Sequence, residues 1–344
     1  MCEHHPVEVA RGSLHAVFPM EDLSRVGQAR RHAAQLAGEL GFDEVAAGRV
    51  ALVVTELGTN LVKHAKQGRL LVASREFDQS PPELEILSID EGPGITDIDR
   101  CMRDGFSTGG TPGTGLGAAK RLSDDFDIHS AVPSGTLIVA RVRARPHRHD
   151  GMFRFGWVAT PAPGETVSGD GWLLAVDGDK AAVLMADGLG HGPMAEEASQ
   201  AAVAHFRKKP FHNLSDMLQS IHETLRSTRG AAVAAAFLDM GASAIRSVGA
   251  GNVVMRVLSG VSDRTLLTQH GTAGLQIRKP EEISTAWPDH AAFAIHTDGI
   301  MQRWPGAAIA PLLGRDPSLA AALLMRDFCR GRDDATILVA RRKE

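Results

Sequence analysis

Apolar residues recur at helical spacing between Asp22 and Leu40, at Leu23, Val26, Ala29, Ala33, Leu36 and Leu40, and this stripe predicts an amphipathic helix. Gly41 ends it, and Phe42-Asp43 opens a second helix that runs to about Ala65. The period then shortens to strands at 69–74 and 84–89, with a hairpin around Pro133-Ser134-Gly135 and a strand-like run at 136–142. These elements read as α/β with an antiparallel sheet. Beyond Met152 the pattern starts afresh. A hairpin pairs 172–176 with 181–186 around Asp177-Gly178-Asp179, and helices follow at about 193–208 and 214–228. Strands recur at 231–239, 244–249, 253–258 and 291–296, before a last helix at 318–329 and a closing strand at 335–341. Strand-rich blocks interrupted by paired helices predict antiparallel sheets covered by helices.

The stretch Arg141 to Asp150 (RVRARPHRHD) is basic and turn-rich, and it separates the two halves, giving domains 1–146 and 147–344. His147 and His149 there read as solvated linker. At 344 residues the chain has room for two ordinary cores. Its 37 basic and 41 acidic residues leave a net charge of -4, which gives no reason to expect nucleic acid or membrane as a partner. No basic-then-apolar signal opens the chain, and the longest clean apolar run, Ala231 to Leu238, is too short to span a bilayer. Three scattered cysteines, Cys2, Cys101 and Cys329, support neither a disulfide framework nor a zinc motif. The cluster Cys2, His4, His5 reads as a frayed terminus. The location predicted is cytoplasmic; oligomeric state is not legible.

Candidate chemistry falls into two sets. In the first half, Glu56 and Asn60 are four residues apart and share a helix face, beside an apolar stripe of Val50, Val54, Leu57 and Leu61. A carboxylate and an amide oxygen placed together can orient a nucleophile and ligate magnesium; a plain polar helix face has the same pattern. Asp90 ends a strand and is followed by Gly92 and Gly94, which suits an acceptor for an adenine amino group with a ligand close to the backbone. A glycine loop from Gly109 through Gly113, Thr114, Gly115, Leu116 and Gly117 then runs into a helix, and a loop of this kind cradles phosphate by backbone N–H groups and the helix dipole. The ordered trio is more specific than any member alone.

In the second half, Ser168-Gly169-Asp170 precedes one strand and Asp187-Gly188 ends its hairpin partner, so Asp170 and Asp187 are predicted neighbours. Asp298-Gly299 ends another apolar run, and Asp333 precedes the last strand, with Asp334 ranked below it. Any single Asp-Gly is ordinarily a turn. Four carboxylates at strand edges point to hard divalent cations, and phosphate-ester hydrolysis is the chemistry that needs a bridged pair of them. No Gly-x-Ser-x-Gly elbow or Cys-x5-Arg loop offers another route, and no cysteine lies where its thiolate would be activated.

The first set, over roughly residues 10–143, resembles the Bergerat-type ATP-binding α/β sandwich shared by histidine kinases, gyrases and Hsp90-type chaperones. Residues 106–122 look most like the serine kinases of bacterial partner-switching systems, the RsbT branch, which phosphorylate a serine on a small STAS-domain protein. That resemblance implies ATP and Mg2+ as cofactors, with Asn60 as metal ligand, Glu56 as catalytic base, Asp90 as adenine reader, and Gly92, Gly94 and the Gly113–Gly117 loop as pocket and lid. His64 stays a helix-face residue. The second set, over about 152–342, resembles the metal-dependent serine/threonine phosphatases of the SpoIIE and RsbX kind. It implies an αββα sandwich holding two Mn2+ or Mg2+ ions through Asp170, Asp187, the Gly188 carbonyl, Asp298 and Asp333. His191 and the turn Gly249-Ala250-Gly251-Asn252 read as loop geometry, and no arginine occupies the place where eukaryotic members hold phosphate. Together the resemblances imply a bifunctional switch that phosphorylates and dephosphorylates a STAS-domain regulator, with a sigma factor or downstream switch protein as a further partner. The alternative is a phosphatase whose first domain is a nucleotide-responsive binding module without kinase activity.

Overall fold

The computed structural model describes residues 7–102, 115–147 and 151–343. The chain divides into two compact units, one of Gly12–His149 and one of Met1–Arg11 together with Asp150–Glu344. The division is therefore not a single cut. Strand β1 (Glu8–Gly12) precedes the first unit in sequence, yet its residues Glu8, Val9 and Ala10 pair antiparallel with Val176, Ala175 and Leu174 of the second. Val9 contributes to that second unit's core.

In the first unit, β2 (Ala16–Pro19) leads into α1 (Leu23–Glu39) and α2 (Glu44–His64). Each helix starts where the sequence supplies a cap. The Asp22 carboxylate accepts from the Ser24 N–H at 2.7 Å, and the Asp43 carboxylate accepts from the Ala46 N–H at 2.7 Å. β3 (Arg69–Phe77) and β4 (Ser80–Ile89) follow, then short α3 (Ile98–Cys101), α4 (Gly115–Leu122), β5 (Asp125–Ser130) and β6 (Thr136–Arg143). The strands run antiparallel in the order β2-β3-β4-β6-β5. Ala29, Ala33 and Ala37 of α1 and Val50, Val54, Leu57 and Leu61 of α2 close on Leu70, Val72, Leu84, Ile86 and Ala140 of the sheet. α2 has the length and apolar character of a membrane span. Its apolar stripe lies in this core, and its other face carries Glu56 and Asn60.

The second unit is built from β7 (Phe153–Thr160), β8 (Asp170–Asp177), β9 (Lys180–Gly188), α5 (Pro193–Lys208), α6 (Leu214–Thr224), β10 (Ala231–Asp239), β11 (Ala244–Ala250), β12 (Val254–Leu258), β13 (Asp263–Leu266), the two-residue β14 (Gly271–Thr272) and β15 (Gln276–Ile277), β16 (Ile283–Ala286), β17 (Ala292–His296), α7 (Pro317–Phe328) and β18 (Ala335–Arg342). One antiparallel sheet runs β16-β11-β10-β9-β8, and another runs β13-β12-β17-β18-β7. Helices α5 and α6 bury Ala198, Ala202, Phe206, Leu214, Leu218 and Ile221 on the first sheet. α7 packs on β7 and β18 of the second sheet. The sheets meet through Trp157 and Trp172, whose rings lie 4.6 Å apart. Helix, sheet, sheet, helix is the αββα order, with a mixed α/β unit before it.

The helix predicted at 214–228 ends at Thr224 and tightens into a 3-10 turn over Leu225–Ser227. Strands β1, β2 and β13 to β16 lack the regular apolar alternation that would announce them; β13, for example, exposes three of its four residues.

Candidate functional site

The second unit concentrates the chemistry at one end of its strands. In the β8–β9 hairpin, Asp170 and Asp187 face each other as register partners. β10 continues the ladder by pairing Ala231 with Gly188 and Ala232 with Asp187. Gly188 is required where it stands: a Cβ there would come 2.1 Å from the Ala195 carbonyl oxygen, so only glycine lets α5 lie on the strand end.

A cavity of about 600 Å³ opens at this end, bordered by Asp187, Gly188, Asn252, Asp298 and Asp333. Asp170 is buried behind its wall, and its carboxylate accepts a 2.7 Å hydrogen bond from the Thr297 hydroxyl. Thr297 is locked in turn, since its Oγ1 accepts from the Thr336 N–H at 3.0 Å. The Asn252 amide donates to the Asp298 carboxylate at 2.7 Å. Asp334 turns away: its two oxygens accept from the backbone N–H groups of Ala162 (2.8 Å) and Gly169 (2.9 Å). Of the adjacent pair, Asp333 borders the cavity and Asp334 ties down the loop before β8. His191, at 63 % side-chain exposure, pairs with Glu165 through Nδ1 at 2.8 Å and stands off the cavity wall.

Electrostatics distinguish this end of the sandwich from an ordinary turn cluster. Burial, then the nearby Asp298 charge, raise Asp187 to about 7. Burial and the charge of Asp187 hold Asp170 well above the usual carboxylate range. Burial and the Asp333 charge raise Asp298 as well. His296, beside this group, is pushed down to about 4 by burial, so it is neutral and structural, with its Nδ1 against the Thr297 carbonyl at 2.9 Å. Carboxylates crowded into a shared, partly dry cavity are oxygen donors suited to Mg2+ or Mn2+. They do not form a finished cage: among the described residues, no three His, Cys, Asp or Glu side chains are grouped closely enough to hold an ion as they stand. Asp170 and Asp298 are each engaged by a hydrogen-bond donor. The donor set fits a divalent cation; a bound ion would draw it together.

In the first unit, α2 places Glu56 and Asn60 one turn apart, both half-buried. The first turn of α4 comes onto the same spot, where a Cβ on Gly115 would stand 3.3 Å from Asn60 Nδ2. Leu116 and Gly117 continue that helix. Asp90, at the end of β4, accepts from the Gly92 N–H at 2.6 Å, and the Glu91 N–H donates to the Lys66 carbonyl beyond α2 at 2.9 Å. These bonds bring the Asp90-Gly92 turn to the C-terminal end of the helix bearing Glu56 and Asn60. Gly94 follows with its α-carbon against the Ala131 carbonyl. Gly113, Thr114, residues 106–112, His149 and the Cys2, His4, His5 cluster lie outside the described residues.

The sequence gives no role to Thr297, and Asn252 reads there as part of a tight turn. The signal was adjacency: Thr297 precedes Asp298, and Asn252 ends the Gly249-Ala250-Gly251 run.

Residues 20–142 match the histidine kinase-like ATPase domain family. Over 112 residues the chain is 39% identical to the serine/threonine-protein kinase RsbT of Bacillus subtilis (strain 168), covering 33% of this chain and 84% of the relative. Among solved structures, a chain from work on the bacterial stressosome, described there as a modular system adapted to control secondary messenger signaling, superposes with a TM-score of 0.52 and 27% identity. That likeness covers 55% of this chain and 99% of the other. RsbX in complex with magnesium superposes with a TM-score of 0.50 and 19% identity, over 58% of this chain and 99% of that one. The chain belongs to the histidine kinase-like ATPase family, of the kind represented by RsbT, and joins that domain to a unit with the fold of the RsbX-type phosphatases.

Proposed function

We propose that this chain is a cytoplasmic partner-switching regulator with two opposed activities. The first unit transfers the γ-phosphate of ATP to a serine or threonine of a STAS-domain protein. The second unit removes phosphate from that protein or a close partner, and a sigma factor or downstream switch protein reads the outcome. The observation that carries the reading is the gathering of Asp187, Gly188, Asp298 and Asp333 on one cavity with Asp170 directly opposed to Asp187. Support for the kinase half comes from the likeness to RsbT, itself a serine/threonine-protein kinase. Support for a divalent cation comes from the fold shared with RsbX, which was solved with magnesium.

In the first unit, Asn60 would hold Mg2+, Asp90 would accept from the adenine amino group, and Gly92, Gly94 and the loop from Gly113 to Gly117 would surround the nucleotide. Glu56, one turn from Asn60, would orient the incoming hydroxyl and take its proton. In the second unit, Asp170, Asp187, Asp298, Asp333 and the Gly188 carbonyl would hold two Mn2+ or Mg2+ ions. Such a pair would supply Lewis-acid activation of a water nucleophile and neutralisation of the phosphate charge. Thr297 and Asn252 keep two of those carboxylates aimed. Both activities running at once on one site would consume ATP without net change, so one of them is gated.

Incubating the intact protein with labelled ATP, Mg2+ and a candidate STAS-domain protein tests the kinase half. Transfer of label that disappears in Glu56→Gln is the expected result. Nucleotide binding with no transfer, unaltered by Glu56→Gln, would leave the first unit a binding module and overturn the kinase assignment.

A further inference from the structure

The cavity that gathers the aspartates has a lip of a different character. Leu189 and Leu267 both border it, and they are 43% and 72% exposed. Leu275, 61% exposed, stands beside them: a Cβ on Gly230 would come 3.4 Å from Leu275 Cγ, and the Gly230 carbonyl accepts from the Leu189 N–H at 3.0 Å. Two leucines on the rim of an acidic cavity, with a third packed next to Gly230 behind them, make one apolar lip rather than scattered surface residues. Arg229 adds a cation at the same lip. Its Nη1 lies 3.4 Å from where a Cβ on Gly190 would be, and it makes no hydrogen bond or ion pair among the described residues. Finally, β13 ends its sheet, so one edge of the strand is open within it, and Thr265 and Leu266 of that strand border the cavity.

From this arrangement we infer that the opening is a docking surface for an extended phosphoserine or phosphothreonine segment flanked by apolar side chains. The phosphate goes to the aspartate end and the flanking side chains go onto Leu189, Leu267 and Leu275. The occupant is fixed by what the opening joins. A lipid surface could cover leucines but could not deliver a phosphomonoester to Asp187 and Asp298 at the base of the cavity. A small phosphate ester would fill the base and leave the leucines wet. A peptide segment does both, and the open edge of β13 offers it backbone hydrogen bonds of the strand-addition kind. Arg229 is placed to meet the phosphate or an acidic neighbour as it enters.

This rests on the dephosphorylation reading, and the test separates the two. The substrates are p-nitrophenyl phosphate and two phosphoserine peptides of equal length, one with leucines and the other with aspartates on both sides of the phosphoserine, assayed with Mn2+ and the full chain. The wild-type protein is expected to favour the leucine peptide by about tenfold or more in kcat/KM, the amount that burying one exposed leucine supplies. In Leu267→Ser/Leu275→Ser that preference falls to within about twofold while kcat/KM is referred to p-nitrophenyl phosphate in the same preparation. Hydrolysis of the aryl phosphate without a peptide preference, or a preference that survives the double substitution, overturns the inference alone. A wild-type protein that turns over none of the three overturns the phosphatase reading and the docking surface with it.

Discussion

Asp170 and Asp187 sit directly across the β8–β9 ladder from each other, seventeen residues apart in sequence and register partners in the sheet. A buried and a half-buried carboxylate in that relation repel, and each is raised by burial and by neighbouring carboxylate charge. Their juxtaposition makes sense for a site that meets cations. Asp187→Asn is expected to abolish Mn2+-dependent hydrolysis of an aryl phosphate while circular dichroism stays unchanged. Turnover within a few-fold of wild type would remove Asp187 from the site.

Thr297 is the residue through which Asp170 keeps its aim, since its hydroxyl donates to Asp170 and accepts from the Thr336 N–H. Loss of such outer partners typically costs about 10–100-fold in metal affinity or activity. Thr297→Val should therefore raise the Mn2+ concentration for half-maximal turnover by about that factor, with Thr297→Ser recovering most of it. A metal titration on the three proteins decides. An unchanged midpoint in Thr297→Val would assign Thr297 to packing alone.

The phosphate end of the first unit depends on the closeness of Gly115 to Asn60. Gly115→Val puts branched bulk against the Asn60 amide and should weaken ATP binding at least about tenfold, measured by calorimetry. Glu56→Gln, by contrast, should leave binding within about threefold and lower phosphoryl transfer by about 10²–10⁴, the usual contribution of a general base. If both substitutions weaken binding equally, Glu56 is part of the nucleotide pocket and not a base.

A buried ionic network lies on the sheet of the first unit. Glu85 accepts from Arg75 at 3.0 Å and from Arg141 at 2.7 Å, with His15 3.6 Å away. Burial alone would raise the Glu85 carboxyl; the Arg75 and Arg141 guanidiniums outweigh it and hold the group well below the usual carboxylate range. A depressed carboxylate stabilises the fold at pH values above its unfolded pKa of about 4.3 and loses that contribution as pH falls toward the folded value. Denaturant unfolding should thus show the first unit weakening below about pH 4, and weakening less steeply in Glu85→Gln. At pH 7 the same variant should lose up to about 3 kcal/mol, because Arg75 and Arg141 are left with Glu83 as their shared counter-charge. Equal stability of variant and wild type at pH 7 would contradict the burial of this network.

Much of this was legible in the sequence, for identifiable reasons. α2 and α5 carry long apolar stripes bounded by caps, Asp43 for one and a Gly192-Pro193 start for the other, so period and punctuation agree. Asp170, Asp187 and Asp298 were visible because a carboxylate beside glycine at a strand end is a recognisable compromise between turn and ligand. The sequence was silent where position depends on distant chain. β1 carries no signal in the sequence, and only the ladder to Val176, Ala175 and Leu174 gives it a place in the second unit. Asp333 and Asp334 are chemically alike and adjacent; they part company only because Gly169 and Ala162 take both oxygens of Asp334. The leucines of the cavity lip, scattered from Leu189 to Leu275, have no common period to connect them.

The most direct test of the two-way switch is the steady-state phosphorylated fraction of a STAS-domain partner, read by intact-protein mass spectrometry with ATP, Mg2+ and Mn2+ all present. Asp187→Asn should drive that fraction up, Glu56→Gln should drive it down to background, and wild type should lie between. A fraction that is the same in all three proteins would contradict the account.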